Sequence, residues 1–153
     1  MSMVQPWLVG ARVLDLFAGS GALGLEALSR GAASADFVET AAPSLRALRD
    51  NIATLDASDR ARVHRGDALR VVGRLALGAY DVAFADPPYE RGLAAAVATQ
   101  WLTVPFATIL GVEHSTRDAM PAGGETRVYG STALTIYRTE TRDGIPSDGA
   151  ATP

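Results

Sequence analysis

Short apolar runs alternate along this chain with longer segments whose apolar residues recur every three or four positions. The short runs are typical of buried strands and cover residues 12–17, 35–38, 62–64, 80–85 and 108–113. The longer segments predict helices over residues 22–30, 43–55, 68–75 and 93–101. Gly31 follows the first of these segments, at a position where glycine commonly ends a helix. The chain is therefore expected to alternate strand and helix.

Such alternation requires a mainly parallel sheet, because the helices that connect parallel strands must lie on the two faces of the sheet. Two later apolar runs, residues 126–129 and 133–137, flank a glycine-containing turn and predict an antiparallel hairpin at one edge. We expect an α/β fold with one domain over residues 1–142. Residues 143–153 carry Gly, Pro and Asp without apolar periodicity, which predicts a disordered tail.

Composition narrows the class of protein. The chain has 153 residues, of which 48% are apolar, and this is enough for one hydrophobic core. With no cysteine and two histidines, we expect neither disulfides nor a metal site. No apolar run approaches the ~20 residues of a membrane span, and the first residues show no secretory signal, so we expect a cytoplasmic protein without membrane contact. The net charge of −3 does not by itself favour nucleic-acid binding, although all 14 basic residues are arginine, a good phosphate ligand.

Acidic residues stand in or after each of the first four predicted strands. They are Asp15, Glu39, Asp67 and Asp86. Ligands of parallel sheets bind outside the carboxyl ends of the strands, so these side chains mark the edge where chemistry is expected. Helix capping or a turn explains any one of them, and for Asp67 capping alone remains an equal alternative.

The loop after the first strand contains Gly19, Gly21 and Gly24 in the pattern G-x-G-x-x-G, and Glu39 follows Gly21 by 18 residues. This spacing is typical of dinucleotide sites. However, Asp15 lies four residues before Gly19 and would place a carboxylate where a pyrophosphate must rest. A cofactor with a sulfonium and an ammonium group but no phosphate fits better, and S-adenosylmethionine is such a cofactor.

Each strand end then receives a hypothetical role toward this cofactor. The glycines Gly19 and Gly21 let the backbone approach the methionine moiety. Glu39 accepts two ribose hydroxyls, as a carboxylate at the end of a second strand commonly does. Asp67 accepts from the adenine amine while the amide of Ala68 donates to the adenine ring.

The fourth strand is followed by Asp86-Pro87-Pro88-Tyr89. The exocyclic amine of a base is a poor nucleophile because its lone pair is delocalised into the ring, and two acceptors are needed to draw it out of plane. The Asp86 carboxylate and the Pro87 carbonyl can each accept one N–H. Tyr89 offers an aromatic face on which an unpaired base stacks. Without that context the segment is only a strand ended by two prolines.

At these residues the sequence resembles the class I S-adenosylmethionine-dependent methyltransferases, and within them the RsmD-like family. Residues 15–31 read DLFAGSGALGLEALSRG and are similar to the first motif of that family; residues 37–39, 66–68, 86–89, 112–114 and 128–134 are similar to its later motifs. The resemblance spans residues 10–138. It implies a Rossmann-like fold with a mainly parallel seven-stranded sheet and an antiparallel C-terminal hairpin. It also implies a cofactor site that includes Asp15, Phe17, Ala18, Thr40 and Asp86, and catalytic roles for Asp86, Pro87 and Tyr89.

The family methylates a guanine exocyclic amine in small-subunit ribosomal RNA. The resemblance therefore implies S-adenosylmethionine as cofactor, ribosomal RNA or the small ribosomal subunit as partner, and a monomer. Family members begin with an arginine-rich segment that contains an Arg-Pro-Thr motif, closes over the cofactor and meets RNA. The first predicted strand here starts after about eleven residues, so we expect this chain to lack that segment.

Three other functions stay open at this point. An adenine or cytosine amino-methyltransferase of DNA shares the Asp-Pro-Pro-Tyr motif, but no separate target-recognition domain is evident in the sequence. A cofactor-binding domain without turnover would follow from loss of the N-terminal segment. A nicotinamide oxidoreductase is disfavoured by Asp15 and by the two consecutive prolines.

Overall fold

A single sheet organises the part of the chain that the computed structural model describes, residues 3–89 and 92–139. Its strands are β1 (Arg12–Leu16), β2 (Ser34–Glu39), β3 (Ala61–Arg65), β4 (Tyr80–Ala85), β5 (Ala107–Ser115), β6 (Glu125–Tyr129) and β7 (Thr132–Arg138). They lie in the order β3-β2-β1-β4-β5-β7-β6. The first five strands in this order, β3, β2, β1, β4 and β5, are parallel to one another. Strand β7 pairs antiparallel with both β5 and β6. The expected mainly parallel seven-stranded sheet with an antiparallel hairpin is confirmed.

Helices cover both faces of the sheet, as the alternation predicted. They are α1 (Ala22–Ser29), α2 (Ala42–Thr54), α3 (Ala68–Val72) and α4 (Leu93–Thr103), preceded by a short 3-10 helix over Gln5–Trp7. Val13 and Phe37 belong to an apolar cluster that includes α1 and α2 residues, whereas their chain neighbours Leu14 and Val38 belong to a second cluster with α4. Successive residues of a strand point to opposite faces of the sheet, and here helices cover both faces. The central strands are therefore apolar at every position and appear in the sequence as continuous apolar runs.

The end of α1 agrees with the sequence prediction, whereas the end of α3 does not. Gly31 adopts a φ of 104°, and the amide of Ala32 donates to the Ala27 carbonyl at 3.0 Å, a bond that closes α1 as expected. The prediction that a helix continues to residue 75 is wrong, because α3 ends at Val72 and Gly73 is its C-cap.

No helix in the described ranges is both long and apolar enough to span a bilayer. The predicted tail, residues 143–153, lies outside the described residues.

The strand order changes direction between β1 and β4. From β1 the chain moves outward through β2 to β3, and it then crosses back to β4 on the other side of β1. The loops that follow β1 and β4 therefore leave the sheet toward opposite faces, which opens a crevice at the carboxyl ends of these strands. The glycine-rich loop and the Asp86-Pro87-Pro88-Tyr89 segment border this crevice.

Close packing of α1 against β2 depends on Gly24. A Cβ atom built at this position would lie 2.8 Å from Cζ of Phe37 and 3.2 Å from Oδ2 of Asp15. Both neighbours are buried, so neither can move away without disturbing the core. The third glycine of the motif thus has a packing role that holds the helix against the sheet.

We predict that Gly24→Ala destabilises the protein by about 1–3 kcal/mol through overpacking against Phe37. Gly73→Ala is the matched control, because its Cβ would make only an ordinary contact, 3.4 Å from the Leu69 carbonyl oxygen. Urea unfolding of both variants measures the difference. Equal midpoints for Gly24→Ala and the wild type would contradict the packing role.

Candidate active site

Asp15 is a carboxylate in the middle of the sheet. It lies within β1, is 1% exposed, and its Oδ2 accepts a hydrogen bond from the Gly24 amide at 2.9 Å. Burial raises the pKa of Asp15 to about 7, against the lowering effect of the Gly24 amide, and the nearby charges of Asp86 and Glu39 raise it further. Three of the predicted carboxylates are thus close enough to influence one another, and the crevice repels anions.

The loop after β1 is held in an unusual backbone conformation. Phe17 has a φ of 57°, which is rare for a bulky residue, and Gly19 has a φ of 58°. The Ala18 amide donates to the Val38 carbonyl at 3.0 Å, and the Gly21 amide donates to the Ala18 carbonyl at 2.9 Å. Strain of this kind persists only where the surroundings over-determine the backbone, and it commonly marks a ligand site.

Glu39 ties this loop to the end of β2. Its Oε1 accepts from the Gly19 amide at 2.7 Å, and its Oε2 accepts from the Thr40 and Ala41 amides at 3.1 and 3.0 Å. A carboxylate has about four acceptor positions, so it can still accept from a ligand hydroxyl. The side chain therefore organises the loop whether or not it also binds a cofactor.

Asp67 is the N-cap of α3, and its Oδ2 accepts from the Arg70 amide at 2.9 Å. The capping alternative raised by the sequence is therefore present in the structure. The same residue also lines a small cleft of about 50 Å³ at the carboxyl ends of β2 and β3. The cleft brings together five residues predicted for the cofactor site: Phe17, Glu39, Thr40, Asp67 and Ala68. The cleft therefore groups residues from three strand ends that the sequence assigned to one site.

The Asp86-Pro87-Pro88-Tyr89 segment begins directly after the last residue of β4. Asp86 is exposed at the crevice, Pro87 is buried, and Tyr89 is 46% exposed. The Tyr89 hydroxyl is hydrogen-bonded to Oγ1 of Thr132 at 2.9 Å, which anchors the end of the side chain to β7 beside the hairpin turn. An exposed ring fixed at its hydroxyl end is suited to stacking against a planar group.

Sequence reasoning gave Glu113 and Thr132 no role in the site. Glu113 lies near the carboxyl end of β5, the neighbour of β4, and its carboxyl is within hydrogen-bonding reach of the Asp86 carboxyl. This contact, with partial burial, raises the pKa of Glu113 to about 7. The signal that marked the first four strand ends also applies to Glu113, an acidic residue near the end of the next strand. The pairing of Thr132 with Tyr89 has no comparable signal in the sequence.

Metal binding is not supported by any grouping in the described part of the chain, where no three His, Cys, Asp or Glu side chains are placed to share an ion. The carboxylates of the crevice are instead spread along the strand ends.

Comparisons with known proteins identify relatives of this chain. Residues 1–138 match the family described as Conserved hypothetical protein 95. The chain is 32% identical over 148 residues to "Putative rRNA methyltransferase YlbH" of Bacillus subtilis, a match that covers 90% of this chain and 80% of that protein. It is 46% identical over 90 residues to Ribosomal RNA small subunit methyltransferase D of Escherichia coli, covering 59% of this chain. That match spans 44% of the length of the Escherichia coli enzyme, so the chain accounts for less than half of it.

Solved structures show the same fold. "Putative methyltransferase yhhF" from Escherichia coli superposes with a TM-score of 0.79 at 33% identity, covering 92% of this chain and 82% of that chain. A Streptococcus pyogenes protein described as a conserved hypothetical protein also reaches a TM-score of 0.79, at 29% identity, and covers 95% of this chain and 96% of that chain.

The raised pKa of the buried Asp15 carboxyl should make the stability of the fold depend on pH. Its pKa is raised from 3.8 to about 7 in the folded chain, so it stays protonated between about pH 4 and 7 while the unfolded chain ionises. Stability due to this group is greatest at about pH 4 and falls as pH rises to 7. We predict that Asp15→Asn, which cannot ionise, is more stable than the wild type by about 2–4 kcal/mol at pH 8 and nearly equal at pH 4.

Denaturant unfolding at the two pH values measures this difference. The control is Asp59→Asn, an exposed residue just before β3 that should keep the wild-type pH dependence. The assignment fails if Asp15→Asn and the wild type differ by the same amount at both pH values.

Proposed function

The chain belongs to the Conserved hypothetical protein 95 family, and on that premise we propose that it transfers a methyl group from S-adenosylmethionine to a guanine exocyclic amine in small-subunit ribosomal RNA. Both curated relatives are rRNA methyltransferases by name, so this is a family of RNA-methylating enzymes. The observation that carries the proposal is the position of Asp86-Pro87-Pro88-Tyr89 beside the buried Asp15 and the strained loop after β1.

The crevice fits S-adenosylmethionine by charge. Burial raises the pKa of Asp15, and the charges of Asp86 and Glu39 raise it further. The Glu39 and Asp86 carboxylates are therefore near enough for their combined field to favour a cation in the crevice and to oppose a pyrophosphate. A nicotinamide dinucleotide, which the glycine spacing alone would allow, therefore fits poorly. The sulfonium and ammonium groups of S-adenosylmethionine would lie in this field.

The cleft between β2 and β3 fits the rest of the cofactor. We assign Glu39 to a ribose hydroxyl, Asp67 to the adenine amine and the Ala68 amide to the adenine ring, with Phe17 and Thr40 as walls of the cleft. Gly19 and Gly21 have positive φ angles, and no atom lies within 4 Å of a Cβ built at Gly19. The loop backbone there is open to a methionine moiety.

The residues after β4 act on the acceptor. Asp86 and the Pro87 carbonyl each accept one N–H of the amine and draw its lone pair out of the ring plane. Tyr89 stacks against the base and holds it in line with the methyl group. With the cofactor bound, the amine nitrogen would take the methyl group as the C–S bond breaks with its electrons left on sulfur, and Asp86 or water would accept the amine proton.

Ribosomal RNA as the substrate is supported by the names of the relatives. The Escherichia coli relative is a small-subunit enzyme, and its match reaches 46% identity over 90 residues. Guanine as the acceptor follows from the family resemblance. Both N–H groups of its exocyclic amine are available to Asp86 and Pro87 only where the base is unpaired or flipped out, so we expect the target to lie in such a region.

We predict that Asp86→Ala lowers methyl transfer from labelled S-adenosylmethionine to small ribosomal subunits by at least about 100-fold. Calorimetric affinity for S-adenosylmethionine should fall by less than about tenfold, since Glu39 and the β2–β3 cleft remain. Asp59→Ala, an exposed substitution just before β3, serves as the control and should retain full transfer.

Three results would count against the proposal in different ways. Transfer by Asp86→Ala at the wild-type rate would remove this residue from the mechanism. Transfer to duplex DNA rather than to subunits would favour the DNA-methylating alternative. Cofactor binding by the wild type without transfer to either acceptor would favour a binding domain without turnover.

A further inference from the structure

The ends of β4 and β5, together with the β6–β7 hairpin, form the side of the crevice where we place the methyl acceptor, and we call it the acceptor side. Two acidic side chains lie there on neighbouring strand ends. Asp86 follows β4, and Glu113 lies near the end of β5, which pairs in parallel with β4 through Ala85 and Val112. Hydrogen bonding to the Asp86 side chain is the largest cause of the raised pKa of Glu113, and partial burial and the negative charge of Asp86 raise it further. Two neighbouring carboxylates repel each other unless they share a proton or accept from a common donor.

Glu113 also borders a cavity of about 250 Å³ on the α1 face of the sheet. The described residues around it include Leu23, Phe84, Leu134 and Ile136, and Glu113 is the only charged side chain among them. Ligand pockets for drug-sized molecules span roughly 300–1,000 Å³, so this cavity suits one planar group rather than a whole nucleotide.

Close packing limits the cavity at the neighbouring β5 position. Gly111, two residues before Glu113 on the same face of β5, has no side chain, and a Cβ there would already lie 3.2 Å from Cδ1 of Ile136. Tyr129, at the end of β6, forms another part of the wall and is 58% exposed. The acceptor side therefore combines apolar and aromatic walls with one carboxylate beside Asp86.

Guanine has a distinctive donor pattern at its methylated edge. Its amine carries two N–H groups, and the adjacent ring atom, N1, carries a third. Adenine and cytosine also present an amine with two N–H groups, but the ring nitrogen next to that amine is an acceptor in both. The site offers three acceptors in one region: the Asp86 carboxylate, the Pro87 carbonyl and the Glu113 carboxylate.

We propose that Glu113 is a specificity residue that accepts the N1–H of the acceptor guanine while Asp86 and Pro87 hold its amine. An ionised Glu113 faces a donor in guanine but a lone pair in adenine or cytosine, so it both attracts the correct base and opposes the others. This inference rests on the proposed function and extends it from the amine to the neighbouring ring atom.

The test uses 2-aminopurine, which keeps the guanine amine but has an unprotonated acceptor at N1. The methylated nucleotide is first mapped with the wild-type protein on small ribosomal subunits. Subunits are then reconstituted with RNA that carries either guanine or 2-aminopurine at that position, and kcat/KM is measured for both. The wild type should prefer guanine by at least about 100-fold, as sites that hydrogen-bond a substrate group reject analogues that lack it.

Glu113→Gln should reduce this preference by about tenfold or more, because its amide N–H can donate to the bare N1 of 2-aminopurine. Glu125→Gln is the matched control, since Glu125 is an exposed residue of β6 whose partner is Arg127. It should keep the wild-type preference. Retention of that preference by Glu113→Gln would overturn the inference while leaving the proposed function intact.

A second measurement needs no variant. The pKa of Glu113 is raised to about 7, with Asp86 beside it and Asp15 behind Asp86 as the neighbouring acidic groups. Below that pH the protonated carboxyl can donate to the bare N1 of 2-aminopurine, whereas above it the ionised carboxylate only accepts. The wild-type preference for guanine over 2-aminopurine should therefore increase as pH rises from 6 to 8. A preference that does not change over this range contradicts the inference. Absence of any guanine methylation by the wild type would overturn the proposed function and this inference together.

Discussion

The crevice depends on one buried hydrogen bond, from the Gly24 amide to the carboxyl of Asp15. Placing a carboxyl in the middle of a parallel sheet is costly, and the cost is limited because the first turn of α1 comes close enough to donate to it. That approach is possible only because residue 24 has no side chain to meet Phe37. The position of α1, the turn of the loop before it and the negative field of the crevice all follow from this contact.

The switch of strand order divides the proposed chemistry between two halves. The ends of β1, β2 and β3 form the side that fits a cofactor, and their carboxylates also organise the local backbone: Glu39 ties the glycine loop and Asp67 caps α3. The ends of β4, β5 and the hairpin form the acceptor side. The Tyr89–Thr132 hydrogen bond joins the segment after β4 to the hairpin, so the aromatic face has a fixed place relative to Asp86.

Much of this arrangement is readable from the sequence because it depends on local patterns. The apolar runs predict the strands of the parallel sheet, and the parallel topology then places their carboxyl ends on one edge. The helix at residue 68 shows the limit of such patterns, since apolar spacing continues to Leu75 while Gly73 ends the helix at Val72. The hairpin strand β6 was predicted although all five of its residues are exposed, because it is stabilised by pairing with β7 rather than by burial.

The acceptor side is less accessible to prediction. The Glu113–Asp86 contact joins residues far apart in the chain and depends on the register of β4 against β5. The Tyr89–Thr132 bond likewise depends on where the hairpin turn lies after β7 pairs with β5. Neither register follows from composition or spacing, because each is set by packing across the whole sheet.

We propose that a single cofactor lies along the ends of β1, β2 and β3 and reaches the switch point, where it meets the segment after β4. Backbone amide NMR of the isotopically labelled chain, titrated with S-adenosylhomocysteine, tests it directly. We expect the largest shift changes at residues 17–21, 39–41, 66–68, 86 and 89, with little change at the amino ends of the strands. Saturating ligand without shifts in these segments, or shifts confined to the opposite edge of the sheet, would contradict it.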